Sequence, residues 1–243
     1  MYGELTKWVA QIEDTSRIPE YISRAFHTAT SGRPGPVVLA LPEDMLTEYA
    51  DTKIINSYQK IEAYPSPADL AQVEEMLSKS KAPLVIVGGG GWDEASCQKI
   101  QDFAEKNHLP VGCSFRCQDY FDNRHPNYVG HIGIGLSTSL QDRIINSDLL
   151  VVIGARLGEV TTSGYSLLDI PRPKQQLIHI HSGAEELGSV YQADLPINAS
   201  PRSFAEAISR LEIAGSERWA SNTKQGNGDY LETNAAYFLD IDH

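Results

Sequence analysis

Short apolar runs alternate with helical patterns along residues 67–213. Five runs predict strands, at residues 84–87, 109–115, 148–155, 176–181 and, as a short edge strand, 195–199. The run at 148–155 reads Asp-Leu-Leu-Val-Val-Ile-Gly-Ala and predicts the most deeply buried strand of the chain. Runs that are apolar on both faces are typical of parallel sheets covered by helices on each side.

The segments between these runs carry apolar residues at helical spacing. Ser66 predicts an N-cap, Pro67 takes the first helical position and Asp69 completes a variant of the capping box, so a helix is predicted to about Lys79. Further helices are predicted at 93–107, at 136–146 and from the Ser200-Pro201 cap to about residue 211. This alternation predicts an α/β fold with a Rossmann-like, doubly wound parallel sheet.

The first 47 residues contain only one predicted helix and one predicted strand. Residues 17–31 have helical spacing and end at Gly32, and residues 37–41 form an apolar run that predicts a buried strand. The chain before them is too short to supply the sheet that such a strand would join. We therefore interpret residues 1–47 as the end of a preceding domain, 48–66 as a linker, 67–213 as a central α/β domain and 214–243 as a polar tail.

Composition narrows the classes of function. The 243 residues are 41% hydrophobic and carry a net charge of −12, which excludes wholesale disorder and argues against a nucleic-acid partner. The sequence has no apolar run long enough to span a membrane and no basic and apolar leader, so no membrane partner is expected. Three cysteines are typical of a reduced, cytoplasmic protein.

Glycines follow several predicted strands, at the sheet edge where ligands bind in such folds. Residues 88–91 are all glycine, Gly133 and Gly135 precede a predicted helix, and Gly154 follows the strand at 148–155. The run from Gly89 fails the dinucleotide fingerprint because its last position is Glu94. Two interpretations stay open: tight strand-to-helix turns, or a nucleotide site.

Two histidines and one arginine are further candidates for ligand binding, and each can also have a purely structural role. His179 and His181 share one strand face and have a spacing that suits a metal, although a structural role is favoured. Arg156 is predicted to pair either with a phosphate or with Glu159. We expect neither a catalytic residue nor a metal site in this chain.

Several short segments of the sequence are shared with a known family. They are residues 31–37 (SGRPGPV) and 41–44 (LPED), followed in order by 83–91, 123–126, 129–133, 148–156, 176–187 and 195–199. Together they resemble the acetolactate synthase large-subunit type of thiamine diphosphate enzyme. The first two segments resemble the end of that family's pyrimidine-binding domain, and the others resemble its central domain.

The resemblance implies an enzyme of three α/β domains, with thiamine diphosphate bound between the first and third, usually across a homo-oligomer interface. Such an enzyme decarboxylates a 2-oxo acid and transfers a two-carbon unit to an acceptor. The family's activating glutamate and its Gly-Asp-Gly magnesium motif are both missing from this sequence, where Tyr230 follows Gly228-Asp229. We therefore expect a fragment of a dimeric or tetrameric parent, inactive by itself.

The resemblance also implies a structural FAD on the central domain. The positions that correspond to FAD contacts are Arg33, Gly88, Gly89, Gly90, the loop 113–118, Gly130, Gly133, Gly154, Ala155 and Arg156. Two alternatives stay open for the chain, namely a stand-alone module binding FAD, NAD or ADP, and a purely structural oligomerisation domain.

Overall fold

The computed structural model describes the backbone of residues 2–239 and the side chains of residues 2–235. Contacts within the chain divide it into two compact units, Met1–Glu62 and Ala63–His243. Residues 240–243, the end of the predicted tail, lie outside the described part. None of the described helices combines the length and the apolar character needed to cross a membrane.

The first unit contains a two-stranded parallel sheet and one long helix. Strand β1 (Trp8–Gln11) pairs with β2 (Val37–Ala40), and α1 (Ile18–Thr30) connects them. The helix and β2 match the predicted elements, whereas β1 was missed because its apolar run covers only residues 8–10, against 37–41 for the run that contains β2. The expectation that the preceding chain is too short to supply a sheet for β2 is wrong, since β1 pairs with it. The expected burial of β2 is wrong within this chain, since its first three residues are half-buried and Ala40 is exposed.

The second unit is built on a six-stranded sheet in which every pair of neighbours is parallel. Its strands, in chain order, are β3 (Pro83–Val87), β4 (Val111–Ser114), β5 (Tyr128–Ile132), β6 (Leu149–Ile153), β7 (Gln176–His181) and β8 (Leu195–Asn198). Every residue of the central strands β3 and β6 is buried, as the apolar runs predicted. The doubly wound α/β fold is thereby confirmed.

Helices cover both faces of this sheet. On one face, α2 (Pro67–Lys79), α3 (Glu94–Lys106) and α5 (Pro201–Ile208) enclose the larger apolar core. On the other, α4 (Thr138–Asn146) packs over a second core together with leucines of the loop after β6. Ser66 and Asp69 form the predicted capping box at the start of α2, with hydrogen bonds of 3.1 and 2.7 Å.

The segment interpreted as a polar tail is helical in the structure. A short 3₁₀-helix (Ser216–Trp219) leads into α6 (Ala220–Leu239), which packs along β5 and α4. Trp219 is fully buried, and the Asn227 side-chain amide donates to the backbone carbonyl of Tyr128 at 2.9 Å. The prediction was wrong for 216–239 because a helix that covers a strand edge through polar contacts leaves no apolar stripe in the sequence.

The strand order identifies the place where a ligand is expected in this fold. The order across the sheet is β5-β4-β3-β6-β7-β8, so the chain proceeds outward from β3 to β5 and then returns to β6, beside β3. The reversal leaves a crevice outside the carboxyl ends of β3 and β6, the usual binding position of doubly wound sheets. We call this space the switch-point crevice.

Candidate functional site

Two glycine-bearing loops meet at the switch-point crevice. The glycine loop (residues 88–91) follows β3, and Gly154 follows β6 with a φ of +75°. A Cβ atom on Gly154 would lie 2.5 Å from the carbonyl oxygen of Gly88 and 2.6 Å from Cγ of Pro201, and one on Gly89 would collide with the carbonyl of Gly154. Contact between the two loops therefore requires these glycines, whether or not a ligand binds.

Two aromatic side chains lie against the same loops. The indole nitrogen of Trp92 donates to the carbonyl of Gly88, and the hydroxyl of Tyr120 donates to that of Gly89, both at 2.8 Å. Their ring centroids are 5.5 Å apart. Burial raises the pKa of Tyr120 to about 12, so its hydroxyl keeps the proton that it donates at neutral pH.

Sequence reasoning did not single out Trp92 or Tyr120. The position of Trp92, directly after four glycines, was an available signal. Tyr120 belongs to the loop after β4, and only the parallel pairing of β3 with β4 places that loop beside the glycines.

The N-terminus of α3 is occupied by a carboxylate of the chain. Asp93 accepts a hydrogen bond from the backbone N–H of Ser96 at 2.8 Å, and its other carboxylate oxygen lies 3.2 Å from Nε of Arg202. The Ser96 backbone bond is the main cause of a lowered pKa for Asp93, which stays ionised. Glu94 adds a second carboxylate in the first turn of the same helix.

Arg156 is paired with a residue that the sequence did not suggest. Its Nε lies 2.7 Å from a carboxylate oxygen of Glu186, in the short 3₁₀-helix after β7. The predicted pairing with Glu159 is therefore wrong, and the contact of Arg156 with a phosphate stays a prediction. Glu186 was missed because it is 30 positions away in sequence.

The structure brings together only some of the predicted FAD positions. Gly88, Gly89, Gly154 and Ala155 lie at the switch-point crevice with the loop 113–118, whose Cys117 Sγ is 3.8 Å from the carbonyl of Gly89. Gly90 is exposed, and a Cβ atom there would meet nothing within 4 Å.

Two further FAD positions lie at the outer side of the sheet of the second unit. Gly130 and Gly133 belong to the outer strand β5 and its end, where added Cβ atoms would approach Leu140 and Phe115 respectively. Arg33 belongs to the first unit and is exposed.

The two histidines of β7 have local partners. Both are buried, with Nε2 of His179 2.9 Å from the carbonyl oxygen of Ala155 and Nδ1 of His181 3.1 Å from the backbone nitrogen of Gly183. These contacts support the structural interpretation. Across residues 2–239, no group of three or more histidines, cysteines or acidic residues is arranged to hold a metal ion.

Within the part of the chain that the structure describes, the candidate residues do not fit thiamine diphosphate and its magnesium ion. Gly228-Asp229, the nearest counterpart of the family's metal motif, lies inside α6 rather than in a loop. The Asp229 carboxylate faces Arg143, with 3.8 Å between Nη2 and the oxygen. A helical aspartate next to a guanidinium offers neither the open loop nor the neighbouring oxygen ligands that Mg²⁺ requires.

Comparison with known proteins identifies the family. The sequence pattern of the thiamine pyrophosphate enzyme central domain matches residues 70–208, more than half of the chain. The protein belongs to this family, and the resemblance noted from its sequence motifs is confirmed.

The relatives are larger enzymes. The chain is 27% identical over 239 residues to a probable acetolactate synthase large subunit of Methanocaldococcus jannaschii, covering 90% of the chain and 38% of that protein. It is 25% identical over 236 residues to a sulfoacetaldehyde acetyltransferase of Alcaligenes xylosoxydans, covering 97% and 39%. The chain thus spans less than two fifths of the length of these relatives.

A solved structure shares the fold. Benzoylformate decarboxylase from Polynucleobacter necessarius superposes with a TM-score of 0.72 at 21% identity, covering 90% of this chain and 41% of that one. At this level of identity the likeness supports the fold and carries no residue-level function.

Proposed function

We propose that this chain is the central portion of a thiamine-diphosphate-dependent enzyme of the acetolactate synthase type. The observation that carries the proposal is the family match over residues 70–208, together with relatives named for acetolactate synthesis and acetyl transfer. The parent enzyme would decarboxylate a 2-oxo acid such as pyruvate and join the two-carbon unit to an acceptor, with thiamine diphosphate supplying the carbanion chemistry.

Within this proposal, residues 63–239 act as a scaffold rather than as the site of reaction. The sheet is covered on both faces and α6 packs along its β5 edge, which suits a rigid body that positions neighbouring domains. Thiamine diphosphate and Mg²⁺ would be held by segments outside this sequence, because Asp229 and its neighbours do not form the motif. A homo-oligomeric parent is part of the same proposal.

The direct test compares this chain with the product of the whole reading frame that contains it. Each is incubated with pyruvate, thiamine diphosphate and Mg²⁺, and acetolactate is measured, with a characterised acetolactate synthase as the positive control. We expect product from the longer protein, provided that it carries an activating glutamate upstream and a Gly-Asp-Gly segment downstream, and none from the 243 residues alone.

Two results would contradict the proposal. Acetolactate formed by this chain alone would show that the chemistry does not need the other segments. A reading frame that encodes neither the upstream glutamate segment nor the downstream Gly-Asp-Gly segment would also contradict it, because the chain would then not belong to a complete enzyme of this type.

A further inference from the structure

We infer that the switch-point crevice is filled by the chain's own Trp92 and Tyr120, so that this domain takes no dinucleotide there. The inference concerns the position where the family resemblance implies FAD, and it states that this protein departs from that expectation. It stands on contacts within the second unit and does not depend on the proposed activity.

The first argument is space. In dinucleotide sites of this fold, a glycine of the loop lets the backbone approach the pyrophosphate closely, at the carboxyl ends of the strands. Here the loop and Gly154 are in direct contact, since neither Gly89 nor Gly154 has room for a Cβ atom. The indole nitrogen of Trp92 would be only 3.4 Å from a Cβ atom on Gly154, so its ring lies over the junction of the two loops.

The second argument is hydrogen bonding. The carbonyls of Gly88 and Gly89 receive the Trp92 indole N–H and the Tyr120 hydroxyl, both at 2.8 Å. The two ring centroids are 5.5 Å apart, and both side chains are partly buried against the larger core. A ligand entering the crevice would have to displace both rings and leave these carbonyls without their donors, which costs free energy for groups removed from water.

The third argument is charge. A helix N-terminus favours the negative charge of a phosphate, but at α3 Asp93 already supplies a carboxylate bonded to the Ser96 backbone. Glu94 is acidic as well. On the other side of the crevice, Arg156 is neutralised by Glu186, whose side chain is only 10% exposed. Arg202 is paired with Asp93 in the same way, so both guanidinium groups beside the glycine loop already bind carboxylates of the chain rather than a diphosphate.

The experiment titrates the full chain with FAD, NAD⁺ and ADP by calorimetry, and follows tryptophan emission in parallel. A Trp92→Phe variant assigns the part of the emission that comes from the crevice. Gly90→Ala is the matched probe of the loop, because a Cβ atom there meets nothing within 4 Å and leaves the fold unchanged, yet would obstruct a ligand resting on the loop.

We expect no saturable binding of the three nucleotides up to ~1 mM, a concentration at which even weak specific sites fill. Circular dichroism and a cooperative melting curve establish that the titrated protein is folded. If a nucleotide binds at another place on the protein, Gly90→Ala will leave its Kd unchanged and the emission of Trp92 will not change, which agrees with a filled crevice.

One result would overturn the inference: one-to-one binding with a Kd below about 100 μM that quenches Trp92 and is weakened at least tenfold by Gly90→Ala.

A double variant, Trp92→Ala with Asp93→Ser, opens the crevice while Ser keeps the helix cap. ADP binding that appears only in this double variant would identify these two side chains as the obstruction. Absence of binding in both proteins also agrees with the inference, because the ring of Tyr120 still occupies the crevice and Glu94 and Glu186 remain.

Discussion

Trp219 anchors the C-terminal segment to the second unit. Its side chain is fully buried, and its indole N–H donates to the carbonyl of Ser80 at 3.1 Å. The guanidinium of Arg218 stacks 4.5 Å from the ring and donates to the same carbonyl. Replacing Trp219 by alanine therefore tests whether residues 216–239 form part of the domain.

The cost of Trp219→Ala comes mainly from the cavity. The Ser80 carbonyl keeps its bond from Arg218 at 3.1 Å, so the lost indole bond leaves no buried acceptor without a donor. Emptying a fully buried tryptophan site costs about 3–5 kcal/mol. That lowers the ratio of folded to unfolded protein by roughly 10²- to 10⁴-fold, which is a large share of the ~5–15 kcal/mol stability of a typical domain.

Urea unfolding, followed by circular dichroism, measures this loss without depending on the tryptophan emission that the substitution itself changes. Leu231→Ala is the matched control, since Leu231 lies on α6 but is 54% exposed, and its replacement should change stability by no more than ~0.5 kcal/mol. If the two variants differ by less than ~1 kcal/mol, the segment is not packed as described and our reasoning about α6 fails.

Three further changes have defined outcomes. Ser66→Ala removes the N-cap of α2 and should cost about 0.5–2 kcal/mol in urea unfolding, so an unchanged midpoint would refute the capping box. Gly154→Ala should lower the free energy of unfolding by about 2–4 kcal/mol, because the φ of +75° and the close neighbours of Gly154 exclude a Cβ atom. Gly90→Ala should be nearly neutral, and equal effects of the two changes would contradict the contact between the loops. Burial lowers the pKa of His179, so the unfolded state takes up a proton first as the pH falls below about 6.5, and stability declines. His179→Gln should flatten this decline between pH 7.5 and 5.5, and an unaltered slope would assign it to other groups.

Strong local patterns predicted most of the second unit. The five buried residues of β6 and the capping box at Ser66 are visible in the sequence because each depends on neighbours a few positions away. Strand β5 was missed because Gly130 and His131 interrupt its apolar run. It is a strand because β4 pairs with one side of it and α6 covers it.

The sequence by itself determined the fold class, the family and the position of the glycines at strand ends, since these follow from periodicity and short motifs. Only the tertiary structure decided what the glycines do. Trp92 and Tyr120 meet at the glycine loop, and Arg156 meets Glu186, because the parallel sheet brings the ends of distant strands to one edge. A one-dimensional pattern records which residues precede a turn, but it does not record which side chain from another strand lies against that turn.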